Sequence, residues 1–145
     1  MKGVHAMQED KRVDGAVSLW TGFSPSRADL ANYVEIDYST TEMSRLSQLA
    51  DDFGTGLYDH DFVDTTFHEW STRSLPDLLR RCSYASLIVP KFVALCGEYL
   101  PMAANSAVLL YNFRHNGSPG PGTNAAGQVI LRYIGSITVE LPWPD

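Results

Sequence analysis

The stretch QVILRYIGSITVEL, residues 128–141, constrains the fold more than any other part of the chain. Apolar and polar side chains alternate along it, which is the pattern of a half-buried β-strand, and Gly135 marks a position for a bulge. Residues 15–22 (GAVSLWTG) and 105–115 (NSAVLLYNFRH) have the composition of strands as well. The sequence therefore predicts a sheet whose last two strands pair antiparallel across the Gly- and Pro-rich loop 116–127.

Helical patterns occupy the sequence between these strands, over residues 25–35 and 40–54 and in two segments of 74–101. Ser24 and Ser74 are expected to cap helices, and Gly54 follows an apolar stripe in the usual position past a helix end. Pro90 is expected to start or kink the last helix. Residues 64–71 fit neither pattern clearly.

This order of elements predicts an α+β fold, a small antiparallel sheet with helices packed on one face. The length of 145 residues suits a single domain. We expect a flexible, polar N-terminal arm at residues 1–14 and one domain over residues 15–145.

The charge of the chain is concentrated in one segment. The net charge is −6, and between Glu35 and Asp77 ten acids face two bases, which leaves −8 on that segment. Such acidity argues against nucleic acid as a partner. It is typical either of a solubilising face or of a patch whose field steers a basic partner.

The start of the chain lacks a signal-peptide pattern, and no apolar run approaches the length of a membrane span. Together with two cysteines, Cys82 and Cys96, which we expect to be reduced, this predicts a cytoplasmic protein that does not act on membranes. The sequence does not predict its oligomeric state.

The stretch GTGLYDHDFVD, residues 54–64, combines residue types that are common in metal sites and acid–base centres. One hypothesis is a small metal-dependent hydrolase, with oxygen and nitrogen ligands from Asp59, His60, Asp61 and His68. The spacing matches neither H-E-x-x-H nor an EF-hand loop, so no bound metal or other cofactor is expected.

A second hypothesis is a protein-recognition surface, in which carboxylates steer a basic partner and aromatic side chains anchor it. A third is an acidic adaptor with an unrelated partner. The candidate contact residues are Asp51, Asp52, Tyr58, Asp59, Asp61, Asp64, Glu69 and Trp70.

Four stretches resemble the immunity protein 22 family of bacterial polymorphic toxin systems. They are VSLWTGFSPSRADLANYVEIDY, LSQLADDFGTGLYDHDFVD, LPDLLRRCSYASLIVPKF and NSAVLLYNF, within residues 16–114. The resemblance implies a non-enzymatic α+β protein that binds and neutralises a cognate toxin domain, for example a nuclease with a basic cleft. His60 and the Gly-rich stretch 116–127 depart from the expected pattern.

Overall fold

The computed structural model describes residues 11–36, 47–122 and 128–140. Its elements, in chain order, are β1 (Lys11–Phe23), α1 (Arg27–Val34), α2 (Gln48–Phe53), β2 (Val63–Ser74), α3 (Leu75–Leu79), α4 (Ala85–Cys96), β3 (Tyr99–Arg114), β4 (Gly120–Pro121) and β5 (Ile130–Thr138). A single 3-10 turn, His60–Phe62, precedes β2. Within the described ranges no helix is long and apolar enough to cross a membrane.

The strands form one antiparallel sheet in the order β2-β3-β1-β5-β4, which confirms the α+β class. The prediction that the last two strands pair with each other is wrong, because β1 lies between β3 and β5. The connection from β3 to β5 is long and contains β4, so its length does not force its two flanking strands together. The bulge predicted at Gly135 is present, since β1 pairs with Gly135 and then with Tyr133.

The helices cover both faces of the sheet, whereas the sequence analysis predicts one covered face. Along β3, Leu109 packs with α3 and α4, while Val108 and Leu110 pack with α1 and α2. Neighbouring residues of a strand point to opposite faces, and residues 104–113 are all buried. β3 is therefore a central strand with a helical layer on each side.

β1 begins at Lys11, within the stretch 1–14 that the sequence predicts as an N-terminal arm. Arg12 pairs with Phe113 of β3, so residues 11–14 belong to the sheet. Residues 1–10 lie outside the described part of the chain, and the rest of the predicted arm stays a prediction. Residues 37–46 are also outside it, so the helix predicted over 40–54 is observed only as α2.

Local capping signals are mostly confirmed. The hydroxyl of Ser74 accepts a hydrogen bond from the Asp77 amide at the start of α3, and Gly54 ends α2 with φ of 67°. The cap of α1 is Ser26 rather than Ser24, whose own hydroxyl donates to the Ser26 carbonyl. Pro90 lies inside α4, which begins five residues earlier at Ala85.

Candidate functional site

The acid-rich segment 54–64 joins α2 to β2 and contains the 3-10 turn. Asp59 caps this turn, because its carboxylate accepts the Asp61 amide at 2.9 Å. The side chains of Asp59, His60 and Asp61 are all exposed. The turn therefore presents two carboxylates and an imidazole to solvent on successive residues.

These residues border an open groove of about 440 Å³ between the segment and the adjoining ends of β1 and β3. The groove, called the acidic groove below, is lined by Arg12, residues 57–62 and residues 110–113. Leu57 is 56% exposed beside it, and the Arg12 guanidinium lies 5.2 Å from the centre of the Phe62 ring. Carboxylates thus share the groove with accessible apolar surface.

Backbone geometry opens the groove where β1 and β3 separate. Residues 13–16 of β1 bulge opposite the single residue Asn112, which has a φ of 58°, in the left-handed region that asparagine tolerates better than most residues. The Asn112 amide oxygen accepts the Gly15 amide at 2.8 Å and closes the bulge. The sequence does not predict this arrangement, because its signal is a single Asn inside an otherwise apolar strand.

Asp52 and Tyr58, two of the predicted contact residues, are 6% and 4% exposed and form internal links. The Asp52 carboxylate accepts the Tyr33 hydroxyl at 2.5 Å and the Gln48 side-chain amide at 3.0 Å. Burial, and then the Asp52 carboxylate, raise the pKa of Tyr33 above its usual range. The Asp52 carboxylate is therefore engaged in contacts within the protein.

Tyr58 also forms internal hydrogen bonds in this helical layer. Its hydroxyl donates to the Val34 carbonyl at 2.6 Å and contacts the Ser47 hydroxyl at 2.7 Å. Tyr58 therefore fastens the chain entering the 3-10 turn to the end of α1 and the cap of α2. It stabilises the wall of the acidic groove and presents little surface of its own.

Asp64 is half-buried and holds the loop between α3 and α4. Its carboxylate accepts the Ser83 amide at 2.8 Å. The pKa of the buried Cys82 thiol is raised to about 12, mainly by burial and further by Asp64. Tyr111, whose hydroxyl donates to the Ser83 carbonyl, also has a raised pKa, mainly because of burial and then because of Asp64, with smaller effects from Cys82 and Tyr84.

Glu69 and Trp70 are exposed, but they lie away from the acidic groove. They belong to a bulge of β2, and the Trp70 ring stacks on His68 at 4.2 Å with Arg80 over it at 5.6 Å. From Val63 to Trp70 a strand advances roughly 20 Å. Asp51 is exposed on α2 and does not line the groove.

The residues proposed for a metal centre do not converge. His68 is 2% exposed, and its Nε2 lies 3.1 Å from the Leu78 carbonyl, so it faces the interior beneath Trp70. His60 is exposed on the 3-10 turn at the other end of β2. Among residues 11–36, 47–122 and 128–140, no group of three or more His, Cys, Asp or Glu side chains could hold a metal ion. The hydrolase hypothesis loses its geometric basis.

The fold and its surfaces define a class: an α+β protein whose accessible acids and apolar side chains suit protein recognition. A family model described as Immunity protein 22 matches residues 17–140. The chain therefore belongs to the immunity protein 22 family. Neither the curated proteins nor the solved structures contain a significant match.

Proposed function

We propose that this protein is an immunity protein that acts in the cytoplasm by binding and neutralising a cognate toxin domain, with the acidic groove as part of the contact. Membership of the immunity protein 22 family, over residues 17–140, is the observation that carries the proposal. The family gives the class of partner. The groove is where this chain offers that partner both charge and apolar surface.

The electrostatics of the acidic groove favour a basic partner. Arg12 forms an exposed ion pair with Asp14, N to O distance 3.4 Å, which offsets its charge. Asp59 and Asp61 then leave the groove and its rim negative. Surface carboxylates of this kind raise the association rate with a positively charged partner. The rate enhancement becomes smaller as salt screens the charges.

The apolar side chains supply a contact that charge alone does not. Leu57 is exposed at the groove, and Phe62 is partly buried under Arg12. Interfaces gain most of their binding energy from a few desolvated apolar or aromatic side chains, with charged groups around them. Asp51, Glu69 and Trp70 would contact the toxin only where its footprint extends beyond the groove.

A nuclease fits this chemistry as the toxin. Its active-site cleft must attract phosphates and is therefore positive, and an acidic protein can occupy such a cleft in place of the nucleic-acid backbone. In that arrangement Asp59 and Asp61 take the place of two phosphate charges.

Co-expression with the toxin domain encoded by the neighbouring upstream gene tests the function. We expect cell survival and a complex that co-purifies. Cell death without a complex would reject that toxin as the partner and, if repeated with every adjacent toxin candidate, would reject the immunity function.

Charge-neutralising variants then test the groove separately. The double variant Asp59→Asn, Asp61→Asn is expected to associate about tenfold more slowly at low salt, with a smaller difference at high salt. The control pair Asp77→Asn, Glu98→Gln removes the same charge from exposed positions away from the groove and should associate like the wild type. Equal rates for both double variants would place the contact elsewhere while leaving immunity intact.

A further inference from the structure

A second groove lies at the opposite end of β3 from the acidic groove. β1 pairs with β3 only as far as Gly22 and Ser106, and after Phe23, which still pairs with β5, the chain turns towards α1. The first residues of β3 continue beyond this point, so Pro101, Met102 and Ala103 are all exposed. Three consecutive exposed apolar residues are unusual in a strand, where at least one face normally packs on the core.

Neighbouring side chains extend this apolar surface into a groove of about 430 Å³. Met102 is 62% exposed, and Phe23 and Ile130, which pair across β1 and β5, are 49% and 57% exposed. Contiguous apolar surface of this kind on a soluble domain marks an interaction site more often than chance exposure. We call this surface the apolar groove.

The apolar groove carries one charge. Of the described residues that line it, only Arg132 is ionisable, and it lies beside Thr21 on β1 and Pro121 on β4. A guanidinium is recognised best by a carboxylate, through charge-assisted and often paired hydrogen bonds. The groove therefore suits an apolar side chain with a carboxylate next to it.

The same charge disfavours a second copy of this chain as the occupant. In a two-fold dimer the same patch faces itself, so both Arg132 side chains would approach the axis with no acid among the described lining residues. Like charges brought together at an interface oppose association.

We propose that the apolar groove is a second protein-docking surface, which binds a partner segment carrying a large apolar side chain followed by an acidic residue. Phe23, Met102 and Ile130 would contact the apolar side chain, and Arg132 would bind the carboxylate. This proposal does not depend on the acidic groove, because ten residues of β3 separate Met102 from Asn112, roughly 30 Å along a strand.

Peptide titrations followed by the amide NMR spectrum of the whole isotope-labelled protein test the proposal. The probe is the capped tetrapeptide Ser-Phe-Asp-Ser at up to millimolar concentration. We expect saturable shifts confined to residues 21–23, 102–104 and 130–132. The Ser-Phe-Asn-Ser peptide should bind about tenfold more weakly, since it lacks the charge, and Ser-Ala-Asp-Ser should not bind detectably.

Variants at the half-buried Arg132 and the exposed Met102 test the two contacts separately. Arg132→Gln should remove the difference between the Asp and Asn peptides, and Met102→Ser should weaken both without changing the rest of the spectrum. Absence of shifts in the groove, or equal shifts with all three peptides, would overturn the proposal. A concentration-dependent dimer in sedimentation that Met102→Ser abolishes would also overturn it, by showing a second copy in the groove.

Discussion

Replacing Asp52 with alanine is expected to destabilise the fold without altering toxin association by the folded protein. Asp52 lies in α2, just before the acid-rich segment, and is a candidate contact residue by sequence, yet it is buried and its carboxylate faces α1. It accepts one hydrogen bond from Tyr33 and one from Gln48. The carboxylate thus joins two helices that the chain connects only through residues 35–47.

The expected loss in the free energy of unfolding depends on which buried polar group each substitution leaves without its hydrogen-bond partner. A hydrogen bond to a charged group contributes about 1.5–3 kcal/mol net, and an abandoned buried hydroxyl costs about 1–3 kcal/mol. Asp52→Ala removes the Tyr33 bond and leaves that hydroxyl buried, so we expect a loss of about 3 kcal/mol. Tyr33→Phe should cost about 2 kcal/mol, because Gln48 still supports the carboxylate. The double variant should lose less than the sum, with a coupling of about 1–2 kcal/mol.

Urea unfolding at neutral pH, followed by tryptophan fluorescence, measures all four proteins of this cycle. A typical domain has 5–15 kcal/mol of stability, so each variant should remain folded in buffer. Additive losses would refute the direct Tyr33–Asp52 link. Toxin association by folded Asp52→Ala as slow as that of the Asp59→Asn, Asp61→Asn double variant would refute the structural assignment and return Asp52 to the binding surface.

Two further predictions concern the titration of the core and the bulge at the acidic groove. The pKa of Cys82 is raised to about 12 in the folded protein, so the thiol of the unfolded chain ionises at lower pH. The buried neutral thiol therefore contributes its full stabilisation below about pH 9, and this contribution should be lost as pH rises towards 12. Between pH 9 and 12 the free energy of unfolding should fall less steeply for Cys82→Ala than for the wild type, with slopes that differ by roughly 1.4 kcal/mol per pH unit. Parallel pH profiles from urea unfolding would contradict this. At the left-handed position of Asn112, both Asn112→Gly and Asn112→Ala lose the bond to Gly15. Alanine should be the less stable by about 1 kcal/mol, and equal thermal stabilities would show that the backbone there is not constrained.

Local signals in the sequence predicted the elements better than their arrangement. Gly54 and Ser74 act within one turn of a helix, and both were placed correctly. The pairing of β3 depends on β1, which lies about 90 residues earlier, and no turn in the intervening chain specifies it. The apolar run in residues 107–111 is typical of a strand buried on both faces, yet by itself it does not say which helices cover each face.

In the candidate site, too, the sequence does not predict which individual residues form contacts with distant parts of the chain. Asp51 and Asp52 are adjacent acids, but a helix turns about 100° per residue, so one is exposed and the other meets Tyr33. Composition identifies the acidic segment correctly and cannot separate its solvated carboxylates from its internal ones. That separation depends on partners distant in sequence, such as Ser83 for Asp64.

Both grooves lie where regular pairing between β1 and β3 is interrupted or ends. Where β1 ends beside the apolar groove, the side-chain oxygen of Asn105 accepts the Ser24 amide at 2.9 Å. The side-chain nitrogen of Asn105 donates to the Ser24 carbonyl at 3.0 Å. Asn112 accepts the Gly15 amide where β1 bulges beside the acidic groove. At each place an asparagine side chain bonds backbone groups of Gly15 or Ser24, so β1 can bulge or end there without leaving these groups unpaired. Because the paired region between them is buried on both faces, the sheet holds the two grooves at a fixed separation, and exposed residues in either groove can change with little effect on the core.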